Sequence, residues 1–224
     1  MRSVICVIIA ILGCKDPTPP ATRDHTMTHG QIVVTGTTRS FGLDGKPSAT
    51  YVSRRLFLDA NGSVAAEERL TPNGAIDYRL TYRRDANGQL TEETMTFGDG
   101  SLHGRWVHHC DGQGRLVRRE FFDRNNALEV TEDYAFEPGG RTAKVVRGRI
   151  GQWTNEYDGG GNLVRKRGGP ASGDDLDQER VEYEYDAQHR LIREIERTPS
   201  GAVKCELNFS YPEQRVSPGS IKGS

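Results

Sequence analysis

The chain has 224 residues, 34% of them hydrophobic, and its 30 basic side chains nearly cancel its 31 acidic ones. The length fits one large or two small domains, while the charge balance argues against a polybasic nucleic-acid binder and the low apolar content against a helical membrane protein. With 26 Gly and 10 Pro, the composition suits many short strands joined by tight turns, and not long helices.

The N-terminus carries Arg2 and then an unbroken apolar run from Val4 to Leu12. Nine helical residues rise only about 13–14 Å, less than half of a hydrocarbon core of roughly 30 Å, so the run has the size of a signal-peptide core. It ends in Ile11-Leu12-Gly13-Cys14, which resembles the lipobox of bacterial lipoproteins. That resemblance implies cleavage before Cys14, a lipid on its sulfur and acylation of its amine, giving a firm membrane anchor. Lys15 stands where inner-membrane lipoproteins of this type carry aspartate, which implies the outer membrane, facing the periplasm or the surface. The reading divides the chain into a signal peptide at 1–13, a lipidated tether at 14–30, a repeat domain at 31–215 and a tail at 216–224. The tether (KDPTPPATRDHTMTH at 15–29) is too polar to form a core. His25 and His29 within it lack the partners of a metal site.

From residue 59 onward, turn signals recur. Asp59-Ala60-Asn61-Gly62 returns as Asp85-Ala86-Asn87-Gly88 and Asp111-Gly112-Gln113-Gly114, at 26-residue spacing, then degenerately as Glu137-Pro138-Gly139-Gly140. Asp158-Gly159-Gly160-Gly161 and Asp186-Ala187-Gln188-His189 follow at drifting intervals. After each, with one residue skipped, stands Val64, Leu90, Leu116, Thr142, Leu163 or Leu191. A second series (Thr71 to Gly74, Gly98 to Gly100, Arg124 to Asn126, Pro199 to Gly201) falls about midway. Asp and Asn close such corners through their side chains, and Gly or Asn accepts positive φ. The intervals leave strands of about seven to nine residues. Their alternation sets Ile76, Tyr78, Leu80 and Tyr82 opposite Asp77, Arg79, Thr81 and Arg83, with similar patterns at 128–136, 181–185 and 203–211. The segment from Arg165 to Gln178 breaks the rhythm and reads as an extended loop.

Tyr183-Glu184-Tyr185-Asp186 with Leu191, and Tyr157-Asp158-Gly159-Gly160-Gly161 with Leu163, resemble the YD repeat of the Rhs family over roughly residues 51–211. The resemblance implies a continuous antiparallel sheet that spirals into a shell. The copies here are too few to enclose another domain, so the family's encapsulating role is not carried over. The expected fold is therefore all-β: an antiparallel meander of about a dozen short strands from degenerate hairpin repeats, forming a curled sheet or an open, barrel-like wall. Glu68, Glu92, Arg118 and Glu132 interrupt the face read as apolar, which argues against a transmembrane barrel.

Reactive side chains are few. His108 and Cys110 share a strand face, whereas His109 points away and His103 lies nearby, without the spacing of a nucleophile pair or a zinc site. After removal of Cys6 with the signal and lipidation of Cys14, Cys110 and Cys205 are the remaining thiols of an exported protein, and either a Cys110–Cys205 disulfide or two buried thiols fits. Trp106, Trp153, Tyr134, Tyr157, Tyr183 and Tyr185 fit a core, or the lining of a carbohydrate or peptide groove. No phosphate loop, serine elbow, HExxH or calcium loop occurs, so no catalytic residue, metal or cofactor is assigned. The expectation is a lipid-anchored envelope binding or scaffold module that is not an enzyme, meeting the membrane through its lipid and an envelope protein or glycan through its sheet. Two rivals stand beside it. One is an envelope polysaccharide hydrolase using Glu92 and Glu132; the other is an immunity or accessory protein for a secreted toxin.

Overall fold

A computed structural model describes residues 32–42, 44–170 and 179–212. The signal peptide, Cys14, the tether with His25 and His29, and the tail all lie outside the described residues. Within them the chain forms fourteen antiparallel strands and no helix. These are β1 (Ile32–Phe41), β2 (Pro47–Leu58), β3 (Val64–Leu70), β4 (Ile76–Arg84), β5 (Leu90–Phe97), β6 (Leu102–Cys110) and β7 (Leu116–Asp123). They continue as β8 (Leu128–Phe136), β9 (Thr142–Arg147), β10 (Gly151–Tyr157), β11 (Leu163–Pro170), β12 (Glu179–Tyr185), β13 (Leu191–Arg197) and β14 (Val203–Ser210). Each pairs with its sequence neighbours, and β1 pairs with β14 from Thr35↔Ser210 to Ser40↔Cys205, so the meander closes into a barrel. Closure removes both exposed edges, which a curled open sheet would leave for other chains to pair with.

The turns after β2, β4, β6, β8, β10 and β12 lie at one end of the barrel, here the lower end, where β1 also begins. The aspartates explain why the chain reverses there. Asp59, Asp85, Asp111, Asp158 and Asp186 each accept two backbone N–H groups, from the residues two and four further on, at 2.8–3.0 Å. Position four of the turn then takes a left-handed conformation, at φ 83° in Gly62 and, without glycine, at φ 60° in His189. The result is a three-residue hairpin loop of the type I plus bulge form.

That bulge decides which side chains enter the barrel. Leu58 faces Val64 while Phe57 faces Ala66, leaving Ala65 without an opposite number. The same slip leaves Thr91, Val117, Val164 and Ile192 unopposed in β5, β7, β11 and β13. Each post-turn aliphatic therefore points inward, and so does the residue three positions later rather than two. Leu90, Leu116, Leu163 and Leu191 are buried at the lower end. One apolar cluster there joins Val34, Leu56, Leu58, Leu163, Val181, Tyr183, Leu191, Leu207 and Phe209, and a second joins Leu116, Tyr134, Val145 and Trp153, with Cys110 and Phe136 packed against it. Tyr185 and Tyr211 tie successive repeats together by donating to the carbonyls of Leu163 and Leu191, both at 3.0 Å.

Two expectations are corrected by this geometry. Glu92 and Arg118 stand two residues after a post-turn aliphatic and Glu68 stands four after one, so the slip turns all three to the outer wall; of the four polar interruptions only Glu132 points inward. Arg165 to Pro170 is strand, not loop, and pairs with β10 from Arg165↔Glu156 to Pro170↔Gly151. Gly168 makes that pairing possible, since at φ 138° a Cβ there would lie 2.2 Å from the Gln152 carbonyl oxygen. Residues 171–178 lie outside the described residues. Cys110 lies in β6 and Cys205 in β14, with β1 to β5 between their strands.

Candidate functional site

Applied through five hairpins, the phase slip builds most of a belt around the inside of the barrel, which β8 and β9 join without a slip, from Phe136↔Ala143 onward. The residues three after the post-turn positions are Glu67, Glu93, Arg119, Val145, Lys166 and Glu194. Their partners in register are Leu56, Tyr82, His108, Tyr134, Asn155 and Tyr183. The belt is mostly ionic or hydrogen-bonding, and Glu67, Glu93, His108, Arg119, Asn155 and Glu194 are all buried. It stands above the apolar lower layer. A buried charge is tolerated only when paired, and the pairing falls into two groups.

On the side of β2, β3 and β13, Arg54 reaches over β1 and β14 to grip Glu194 through both oxygens, at 3.0 and 3.3 Å. Gly36 in β1 leaves the space for this crossing, since a Cβ there would sit 3.1 Å from both the Arg54 Cβ and the Leu207 Cδ1. Glu67 accepts from Arg69 at 2.9 Å and from the Tyr82 hydroxyl at 3.1 Å, with the Arg54 Nε 3.7 Å away. Burial pushes Glu67 up, but Arg69 and Arg54 outweigh it and hold the carboxyl below its usual value. Burial wins at Glu194, whose pKa is raised despite Arg54, with the neighbouring Glu67 charge adding to the rise.

On the side of β5 to β10, Glu132 in β8 is the hub. It accepts hydrogen bonds from Arg119, Arg147 and the Tyr134 hydroxyl. Burial alone would raise its pKa; the two guanidinium groups and the tyrosine bring it down to about 2. Arg119 also lies over the Trp106 ring at 4.2 Å and Arg147 over Trp153 at 5.1 Å. His108 Nε2 lies 3.0 Å from Glu93 Oε1.

The outer wall is equally charged. Arg55 and Arg79 flank Glu68, Arg105 meets Glu92, Arg118 meets Asp133, Arg165 and Arg167 share Glu156, and Arg193 bridges Glu184 and Glu206. Such a wall does not suit hydrocarbon, where one Arg or Lys near the bilayer midplane costs about 2–4 kcal/mol.

The sequence-named residues sort accordingly. Glu92 lies outside on Arg105 and Glu132 inside on Arg119, so the carboxylate pair considered for a hydrolase is split between the two faces. His108 and Cys110 do point inward, and His109 points out to Glu120 at 3.1 Å. His103 occupies a bulge near the upper end and stacks on Phe97 at 4.8 Å. Trp106, Trp153, Tyr134 and Tyr183 are buried inside the barrel, with Tyr157 and Tyr185 at its apolar margin. No group of three metal-ligating side chains occurs among the described residues. Glu67, Glu93, Arg119 and Glu194 were not singled out from the sequence, although counting three residues beyond each post-turn aliphatic would have found them.

No protein-family model and no curated protein matches the chain. Among solved structures it is similar to a porin-like protein from Bacteroides uniformis, at 8% identity over 81% of this chain and 96% of that one, with a TM-score of 0.39. It is also similar to a TcdB2–TccC3 structure without the hypervariable C-terminal region, at 15% identity and a TM-score of 0.27, covering 75% of this chain and 12% of that one. Likeness this distant assigns neither a family nor an activity, which have to come from the residues themselves.

Proposed function

We propose that this chain is a lipid-anchored binding or scaffold module of the bacterial cell envelope, a barrel held at the outer membrane by a lipid on Cys14 and working in water. The observation that carries the reading is the outer wall: its paired Arg and carboxylate side chains favour water on the outside of the barrel, so a lipid on the Cys14 of Ile11-Leu12-Gly13-Cys14 would be what holds it at the membrane. Glu132 is read as a structural hub and not as a general acid, because two arginines hold its carboxylate ionised. The hairpin unit is read as a relative of the YD repeat, with its tyrosine bonded to the preceding repeat and its aspartate closing the turn.

Metabolic labelling with a radiolabelled fatty acid, followed by fractionation, tests the anchor. The wild-type protein is expected to carry label and to resist extraction from membranes by alkaline carbonate. Cys14→Ala is expected to carry none. Equal labelling of the two proteins, or none of either, would overturn the assignment.

A further inference from the structure

Among the described residues six large apolar side chains are left exposed, and three of them, Leu102, Leu128 and Ile150, are 41%, 53% and 49% exposed on neighbouring hairpins. Those hairpins, β5–β6, β7–β8 and β9–β10, follow one another along the upper end. Register explains why the row faces out. Trp106 and Phe121 oppose each other inside the barrel, so Phe122 turns outward and carries its partner Leu128 with it. The slip beyond Leu128 leaves Glu129 unopposed beside it. Glu93 is inside, which puts Thr96, three residues on, and its partner Leu102 outside. Ile150 occupies the tip of the third turn, where its N–H donates to the Arg147 carbonyl at 2.8 Å.

Adjacent exposed aliphatics mark a contact surface, and the charges between them indicate the partner. Along the rim the first hairpin carries Asp99, the second Arg124 and Glu129, and the third Arg149, all four exposed. Arg124, Glu129 and Arg149 enter no hydrogen bond or ion pair among the described residues. Asp99 uses one carboxylate oxygen, on the N–H and hydroxyl of Ser101, and leaves the other free. The remaining rim charges are taken: Arg105 by Glu92 and Asn126, Asp123 by the N–H groups of Asn125 and Ala127, and Arg147 by Glu132. The order acidic, mixed, basic is its own complement. Rotation by half a turn about an axis through the middle hairpin sets Asp99 against Arg149 of a second copy, Leu102 against its Ile150 and Arg124 against its Glu129. Leu128 meets Leu128 on the axis. Reciprocal pairing of this kind is the property of a two-fold interface. An anionic membrane would meet Asp99 and Glu129 along with the arginines, and gains nothing from the order.

We propose that the outer face of the upper rim from β5 to β10 is a two-fold interface through which the protein pairs with a second copy of itself, the axis running parallel to the barrel axis. Both lower ends, where β1 begins and β14 ends, then face the same way, and two lipids on Cys14 enter one membrane. That orientation rests on the anchored reading above; the contact rests on the rim alone.

A residue on a two-fold axis crosslinks to itself. Full-length Leu128→Cys protein in the membranes of producing cells is treated with a short bismaleimide, with the wild-type chain as the blank for its own thiols. Val33→Cys and Val52→Cys are the controls, at positions 40% and 39% exposed on β1 and β2, across the barrel from the rim. A product of twice the monomer mass is expected from Leu128→Cys and not from the controls. Arg124→Glu and Glu129→Arg, each added to Leu128→Cys, are expected to lower its yield by about threefold to tenfold, because each reversal sets like charges together twice. The two reversals combined are expected to restore it. All these positions are exposed, so the barrel folds in every variant. Equal yields at the three cysteine positions, a product of any other mass, or a double reversal as weak as the single ones would overturn the proposal. Protein that crosslinks without lipid on Cys14 would sink the anchor and spare the interface, and lipidated protein that does not crosslink would do the reverse.

Discussion

Replacing Glu132 by Gln keeps the shape of the hub and removes its charge. The carboxyl's pKa falls from 4.5 to about 2 in the folded barrel. A folded pKa below the unfolded one stabilises above the unfolded value, and the contribution fades as pH drops through 4.5 toward 2. A difference of about 2.5 pH units corresponds to about 3 kcal/mol at pH 7, and to about 1 kcal/mol at pH 3. Leaving Arg119 and Arg147 without their anion independently suggests a loss of about 3–5 kcal/mol, in the same range. Urea unfolding, followed by far-ultraviolet circular dichroism, would measure wild type and Glu132→Gln at both pH values. The expected gap is about 3 kcal/mol at pH 7 and about a third of that at pH 3. Other buried carboxylates are common to both proteins and cancel. A gap of equal size at the two pH values would refute the electrostatic account, and a gap under about 1 kcal/mol at pH 7 would refute the role of the hub.

Gly36→Val places methyl groups where Arg54 crosses β1, with contacts already at 3.1 Å for the Cβ alone; an overpacking loss of about 1–3 kcal/mol is expected by chemical denaturation. Asp158→Ala removes the acceptor for Gly160 and Asn162 N–H at 2.8 and 2.9 Å, and thermal unfolding should show a loss of about 1–2 kcal/mol, most of it recovered by Asn, whose side-chain carbonyl can accept the same bonds. Arg118→Ala is expected to leave the unfolding midpoint unmoved, because its pair with Asp133 is half exposed on both sides. A clear destabilisation there would mean that the outer wall contributes more than exposed ion pairs do elsewhere.

Much of this barrel can be read from the turn residues. The 26-residue recurrence of Asp-x-x-Gly with its trailing aliphatic marks where strands reverse, and Leu90, Leu116, Leu163 and Leu191 are buried where that pattern puts them. The belt was hidden by a one-residue effect. Strict alternation from Leu90 selects Glu92, but Thr91 is the unopposed residue of a bulge, so Glu93 points in and Glu92 points out. With two adjacent glutamates at 67–68 and again at 92–93, composition cannot choose between the faces; only the ladder can. Closure was equally hidden, because the pairing of β1 with β14 joins the two ends of the domain. Arg165 to Pro170 looked like loop because its glycines and charges resemble one, whereas in the strand the arginines meet Glu156 and the glycines admit the backbone of β10.

The bulge also changes what kinds of alteration the chain can absorb. Each of the five hairpins with an aspartate corner carries its own phase slip, so the inward assignment is reset within each of these units instead of being inherited from the one before. Losing a single residue in mid-strand would turn the rest of that strand inside out, exchanging belt charges for wall charges, but the damage would stop at the next corner. Gaining or losing a whole unit would leave every face as it is and alter only the girth, always by two strands, so that the first and last strands still meet antiparallel. Bore is thus a property of copy number. Duplication within a gene could widen or narrow the interior of such a barrel without redesigning a single hairpin.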